Sequence, residues 1–161
     1  MTDEDGRTRG MNDEADPGLD PYTAYDDFDL PSYVGLPSFQ KLPWLTDGAA
    51  LAERRPDVAI VGAPFDDAVS HRPGARFGPR AIRAASYMSG SINSLQLGIE
   101  PFDWLDVVDA GDAPVTPMDI ERGHLVIERK VQEVARSGAI PIILGGDHSI
   151  TYPSATSRTL R

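Results

Sequence analysis

Three short apolar runs, separated by stretches that carry helix signals, restrict this chain more than any other feature. Residues 58–62 read Val-Ala-Ile-Val-Gly, residues 104–109 read Trp-Leu-Asp-Val-Val-Asp and residues 140–144 read Ile-Pro-Ile-Ile-Leu. Runs with little polar alternation are expected of strands covered on both faces. Between the first two, Gly78-Pro79-Arg80 opens a predicted helix to about Met88, with proline in its first turn. Between the last two, Thr116-Pro117-Met118-Asp119 predicts a helix start: a threonine cap, proline at the first helical position and an acid two further on. That helix is expected to run to Ser137, with Ile120, Ile127, Val131 and Val134 on one side and Gly138 beyond its end. Strands alternating with helices imply right-handed crossovers and a parallel sheet, hence an α/β fold.

The chain has 161 residues, enough for one domain with a core. Its 14 prolines and 40% apolar content suggest that part of it is not packed. Ten acids and two arginines in residues 1–30 account for eight of the ten net negative charges. That segment reads as a disordered acidic tail. The remainder is nearly neutral and lacks a basic face, so neither nucleic acid nor an anionic membrane is an expected partner. Residues 31–56 mix Tyr33, Leu36, Phe39, Leu42, Trp44 and Leu45 with Pro31, Pro37 and Pro43. They read as an arm against a domain surface or a neighbouring subunit, or as a linker, with a short helix near residues 45–55 stopped by Pro56. The α/β domain occupies residues 57–161. The absence of cysteine excludes disulfides, zinc–thiolate sites and a cysteine nucleophile, and fits a cytoplasmic protein. No apolar run approaches the ~20 residues of a membrane span, and the acidic N-terminus does not resemble a secretory signal.

Chemistry is expected where strands end, because ligands bind at the carboxyl ends of a parallel sheet. Residues 140–144 lead into Gly145-Gly146-Asp147-His148-Ser149. The glycines permit a sharp turn. His148 is presented where an imidazole can ligate a metal, although a histidine in such a turn also serves structural ends. Asp147 can orient a ligand or support the turn, and Ser149 can cap a following helix. The loop at residues 63–77 also leaves a strand at its carboxyl end. In it, His71 can line a pocket. Arg72 and Arg76 can bind carboxylates, stabilise a subunit contact or tie the loop to nearby acids. His124 falls within the second predicted helix and reads as a surface residue. Asp109 and Asp112 are the acids commonly found at strand ends. The dinucleotide glycine fingerprint, the Walker phosphate loop and the Gly-x-Ser-x-Gly elbow are all absent.

Three stretches resemble the ureohydrolase family of arginase, agmatinase and related guanidino hydrolases, the agmatinase branch most closely. They are Val61-Gly62-Ala63-Pro64-Phe65-Asp66 continuing through Arg72-Pro73-Gly74-Ala75-Arg76-Phe77-Gly78-Pro79-Arg80-Ala81-Ile82-Arg83, then Leu144-Gly145-Gly146-Asp147-His148-Ser149-Ile150-Thr151, and more weakly Gly35 to Pro43. The resemblance implies a three-layer α/β/α domain around a mainly parallel sheet, truncated here after about the third strand. It implies a trimer or hexamer, and two Mn²⁺ ions per intact site that activate water for attack on a guanidinium carbon. His148 matches a metal ligand of the family, Asp147 a supporting residue, and His71, Arg72 and Arg76 a substrate or subunit loop. For agmatine the products are urea and putrescine; guanidinobutyrate, guanidinopropionate and arginine are alternative substrates. Of roughly six protein ligands needed for two such ions, this chain supplies one. The family's Asp-x-His-x-Asp and Ser-x-Asp-x-Asp motifs are not in it. The expectation is therefore an inactive N-terminal fragment with a bare edge on its last strand. A non-catalytic remnant that joins intact homologues and an unrelated doubly wound binding domain are the competing readings.

Overall fold

Strand β1, Val58–Ala63, forms the centre of the sheet because it can be covered on every side: five of its six residues are buried. A computed structural model describes residues 33–87, 96 and 98–156. The expected tail at residues 1–30, the end of the first predicted crossover helix at Met88 and the last five residues lie outside the described residues. The elements run α1 (Gly48–Arg54), β1, α2 (Gly78–Ser86), β2 (Val107–Asp112), α3 (Ile120–Arg136), β3 (Ile140–Gly145) and α4 (Thr151–Thr156). All strand pairs are parallel, in the order β2-β1-β3, so consecutive strands are linked by helical crossovers.

Alternation along β1 divides the interior into two layers. Ala59, Val61 and Ala63 face a core with Leu51 of α1 and Ile127, Val131 and Val134 of α3. Val58 and Ile60 face the opposite side, with Leu42 and Phe39 of the N-terminal arm, Phe102 and Val107. Helix α2 lies over that second face, giving the α/β/α layering. It reaches the end of β3, where Gly78 lies against the Gly145 carbonyl, but leaves the start of that strand open, with Ile140 and Ile142 59% and 47% exposed. Among the described residues β3 pairs only with β1. No helix of the described residues is long and apolar enough to cross a membrane.

Two elements depart from the sequence expectation. Strand β2 begins three residues later than the apolar run, because Pro101–Asp103 forms a 3₁₀ turn that Trp104 and Leu105 close through backbone hydrogen bonds to Pro101. It also extends further, through a bulge. Ile60 pairs with Asp109 but Gly62 pairs with Asp112, so β2 carries one extra residue, and Gly111 takes a left-handed φ of 74° to accommodate it. Helix α3 likewise starts at Ile120 and not beside Thr116. Met118 is left-handed, and the Asp119 carboxylate takes the capping role by accepting from the Arg122 N–H at 3.0 Å.

The bulge has a chemical consequence. It shifts the alternation by one, so Asp109 and Asp112 both meet Arg83 on the α2 side. Arg83 donates through Nε and Nη2 to Asp109, at 2.7 and 2.9 Å, and through Nη1 to Asp112 at 2.6 Å. Asp109 is fully buried and also accepts from the N–H groups of Phe39 (2.8 Å) and Gly111 (2.9 Å). The arm is thereby held against β2, reinforced by backbone bonds from Asp109 to Pro43 and from Leu45 to Asp109. Trp44 stacks over the Arg83 guanidinium at 5.5 Å. Burial opposes the charge on Arg83, but its hydrogen bonds to the two carboxylates outweigh that and raise its pKa further.

Removing one partner of this pair leaves a buried charge without its counter-ion. Asp109→Ala is expected to lower unfolding free energy by about 3–5 kcal/mol, seen as a lower urea midpoint; an unchanged midpoint would contradict the role given to Asp109.

Candidate functional site

Adjacent parallel strands bring the two motif-bearing loops together at one end of the sheet. β1 leaves at Ala63 and continues through Phe65 and Asp66; β3 leaves at Gly145 and enters the turn His148–Ile150. The two exits are laced by hydrogen bonds. Asp147 donates its N–H to the Phe65 carbonyl at 2.8 Å, and the Ala68 N–H donates to Asp147 Oδ2 at 3.0 Å. Gly146 has to be glycine for lack of room. A Cβ there would stand 2.5 Å from the Phe65 carbonyl oxygen and 2.6 Å from that of Ala63, both backbone atoms that cannot swing aside.

His148 is exposed at this mouth. The turn holding it is organised by Asp147, whose Oδ1 accepts from the Ser149 N–H at 2.8 Å and the Ser149 hydroxyl at 2.5 Å. The cap of the turn is thus Asp147; Ser149, expected to cap a following helix, lies inside the turn and is itself held by Asp147. His124 is the other correction. It is half-buried, with its ring centroid 5.1 Å from that of Phe65 and Nε2 3.0 Å from Ser149 Oγ. The signal was present: His124 lies three residues before Ile127 and seven before Val131, on the packed stripe of α3.

In the β1 loop, Arg76 Nε donates to Asp66 Oδ1 and Nη2 to Asp67 at 2.8 Å. Asp66 is buried and also accepts from the N–H groups of Gly74 (2.5 Å) and Arg76 (3.2 Å). Asp67 accepts from the Met118 N–H at 2.6 Å, joining the loop to the approach of α3. His71 and Arg72 stand exposed on the same loop. Burial works to raise the Asp66 carboxyl, but the two backbone donors and the Arg76 guanidinium outweigh it and hold it below the ordinary carboxylate range. Arg83 and Asp109 were not legible as a functional pair, since nothing in the residue types announces the bulge that aligns them.

A family model described as "Arginase family" matches residues 56–159, which include both loops and all three strands. The chain belongs to the arginase family. The guanidinopropionase of Pseudomonas aeruginosa is 38% identical over 128 residues, covering 80% of this chain and 38% of that protein. A hypothetical agmatinase from Burkholderia thailandensis superposes with a TM-score of 0.71 at 35% identity, over 81% of this chain and 39% of that one. The Trypanosoma cruzi formiminoglutamase, crystallised with Mn²⁺, gives a TM-score of 0.56 at 32% identity, over 68% of this chain and 38% of that one. This arginase-family chain therefore spans about two-fifths of the length of the relatives it matches.

The donor set decides what the described residues can hold. His148 has the chemistry and exposure of one ligand to a first-row divalent ion. Among the described residues, however, no three His, Asp or Glu side chains gather into a group that could hold a metal. This portion of an arginase-family domain does not by itself fit a complete metal site.

Two outcomes test the loop chemistry. A carboxyl depressed on folding binds fewer protons in the folded state than in the unfolded chain, so stability rises with pH through that window. Asp66 should stabilise the fold fully at neutral pH, with the contribution draining away as pH falls below about 4. Urea titrations at pH 7 and at about pH 3 should show a shallower pH dependence for Asp66→Asn than for the unaltered chain. Separately, Gly146→Ala should lower the melting temperature by several degrees, equivalent to about 1–3 kcal/mol of overpacking; an unchanged value would mean that the turn has slack.

Proposed function

We propose that this chain forms part of a metal-dependent hydrolase of linear guanidino compounds, and that His148 supplies one ligand to its metal. The exposed imidazole on the glycine turn of an arginase-family domain is the observation that carries the reading. The relatives named guanidinopropionase and agmatinase support a guanidino substrate class. They do not select one substrate; agmatine, giving urea and putrescine, ranks equally with guanidinopropionate and guanidinobutyrate. In each case water adds to the guanidino carbon, one C–N bond breaks, and the released amine takes the proton. Manganese is the proposed ion, in line with the Mn²⁺ of the formiminoglutamase crystals.

This chain's own residues have a positioning part in that reading. Asp147 holds the His148 turn against Phe65 and Ala68. Exposed His71 and Arg72 are proposed to meet the substrate or a neighbouring subunit, while Arg76 stiffens their loop through Asp66 and Asp67. A homo-oligomer is the proposed assembly.

The test is urea release with Mn²⁺ from a panel of agmatine, guanidinopropionate and guanidinobutyrate, by the protein that carries this chain as its arginase-family segment. At least one compound is expected to be hydrolysed. Even residues that only support a ligand cost about 10–100-fold when removed, so His148→Ala is expected to cost a hundredfold or more. Absence of urea from every compound, or an unaffected His148→Ala variant, would overturn the proposal.

A further inference from the structure

We propose that His124 is a positioning residue: its Nε2–H donates to Ser149 and locks the turn that presents His148. A serine hydroxyl has one proton and two lone pairs. Ser149 Oγ lies 2.5 Å from Asp147 Oδ1, and a carboxylate oxygen can only accept, so the hydroxyl proton points there. What Ser149 Oγ has left for His124 Nε2, at 3.0 Å, is a lone pair. The contact is a hydrogen bond only if Nε2 carries the hydrogen. The geometry thus assigns the tautomer of the neutral ring, with its proton on Nε2.

His124 is well placed to transmit rigidity. Its helix is anchored by Ile127, Val131 and Val134, all buried in the core. The Phe65 ring, itself buried, braces the imidazole at 57°. Gly123 beside it is close-packed on the same ring: a Cβ there would come within 2.6 Å of the Phe65 edge. The chain of contacts therefore runs from the α3 core through His124 to Ser149 and Asp147, which flank His148. Asp147 in turn grips Ala68 on the β1 loop. Helix α3 so reaches both strand exits at one point.

The functional consequence rests on the reading of His148 as a ligand, but the experiment addresses the turn itself. Amide hydrogen exchange is measured on the 161-residue chain. His124→Phe keeps a ring against Phe65 and removes the donor; His124→Gln returns an N–H donor at similar reach. The Phe variant is expected to exchange about five- to tenfold faster at the Ser149 and Ala68 amides, with the β1 and β3 amides unchanged. The Gln variant is expected to restore protection. No acceleration in the Phe variant, or acceleration spread equally over the sheet without rescue by Gln, would overturn the proposal. Should the Phe variant fail to fold, long-range ¹H–¹⁵N spectra of the unaltered chain decide the matter. Nε2 protonation of the neutral His124 ring supports the lock, and Nδ1 protonation refutes it. None of these outcomes depends on metal or urea, so failure here is separable from failure of the hydrolase reading.

Discussion

A single carboxylate that water cannot reach governs the architecture. Asp109 sits in the sheet with no exposed surface, and an ionised carboxylate there has to be met by donors on nearly every lone pair. It is met by four: two from Arg83, one from the Phe39 N–H and one from the Gly111 N–H. The four donors come from three pieces of the fold, namely α2, the N-terminal arm and the β2 bulge. Satisfying one buried charge therefore fixes the relative placement of three segments far apart in sequence. Apolar packing alone would leave each of them free to slide.

That fixed frame matters at the other end of the strands. Because β1 and β3 are paired residue for residue from Val58–Ile140 to Ala63–Gly145, their exits emerge side by side. The β1 loop and the β3 turn then need few further bonds to become one unit. Asp147 provides these bonds by accepting from Ala68 and donating its N–H to the Phe65 carbonyl. Gly146 allows the approach, since the two carbonyls beside it occupy the space of a side chain. The site is thus a property of sheet register and of two backbone groups as much as of the residues that carry chemistry.

The strands and their parallel pairing were legible because apolar runs of strand length between helix signals have few other solutions. The boundaries were less so. In the segment before β2, Trp104 and Leu105 are as apolar as a strand requires, yet the Pro101 turn claims them and leaves them 75% and 44% exposed. The bulge at Gly111 was invisible, since a glycine near a strand end reads as a terminator. The α3 cap was misplaced because Thr116 and Asp119 both satisfy the capping chemistry, and tertiary contacts chose between them: the Met118 N–H is drawn to Asp67. His124 could have been found from helical period alone, whereas Arg83 could not, because a charged residue in an amphipathic helix is ordinarily assigned to solvent.

The distribution of acids explains why the described part of the domain presents an imidazole and little else to a metal. Carboxylates are plentiful near the strand exits, and a count of residue types would suggest a rich ligand field. Asp66 is buried and bound by Arg76 and two N–H groups; Asp67 is bound by Arg76 and Met118; Asp147 accepts three hydrogen bonds; Asp112 is paired with Arg83. Each is committed to structural partners, and those of Asp66, Asp67 and Asp147 hold the loops that define the mouth. His148 is exposed while its flanking residues are held, whereas Asp112, also exposed, is tied to Arg83. The carboxylates that shape the mouth thus serve as scaffold: their hydrogen bonds fix where the two strand exits meet.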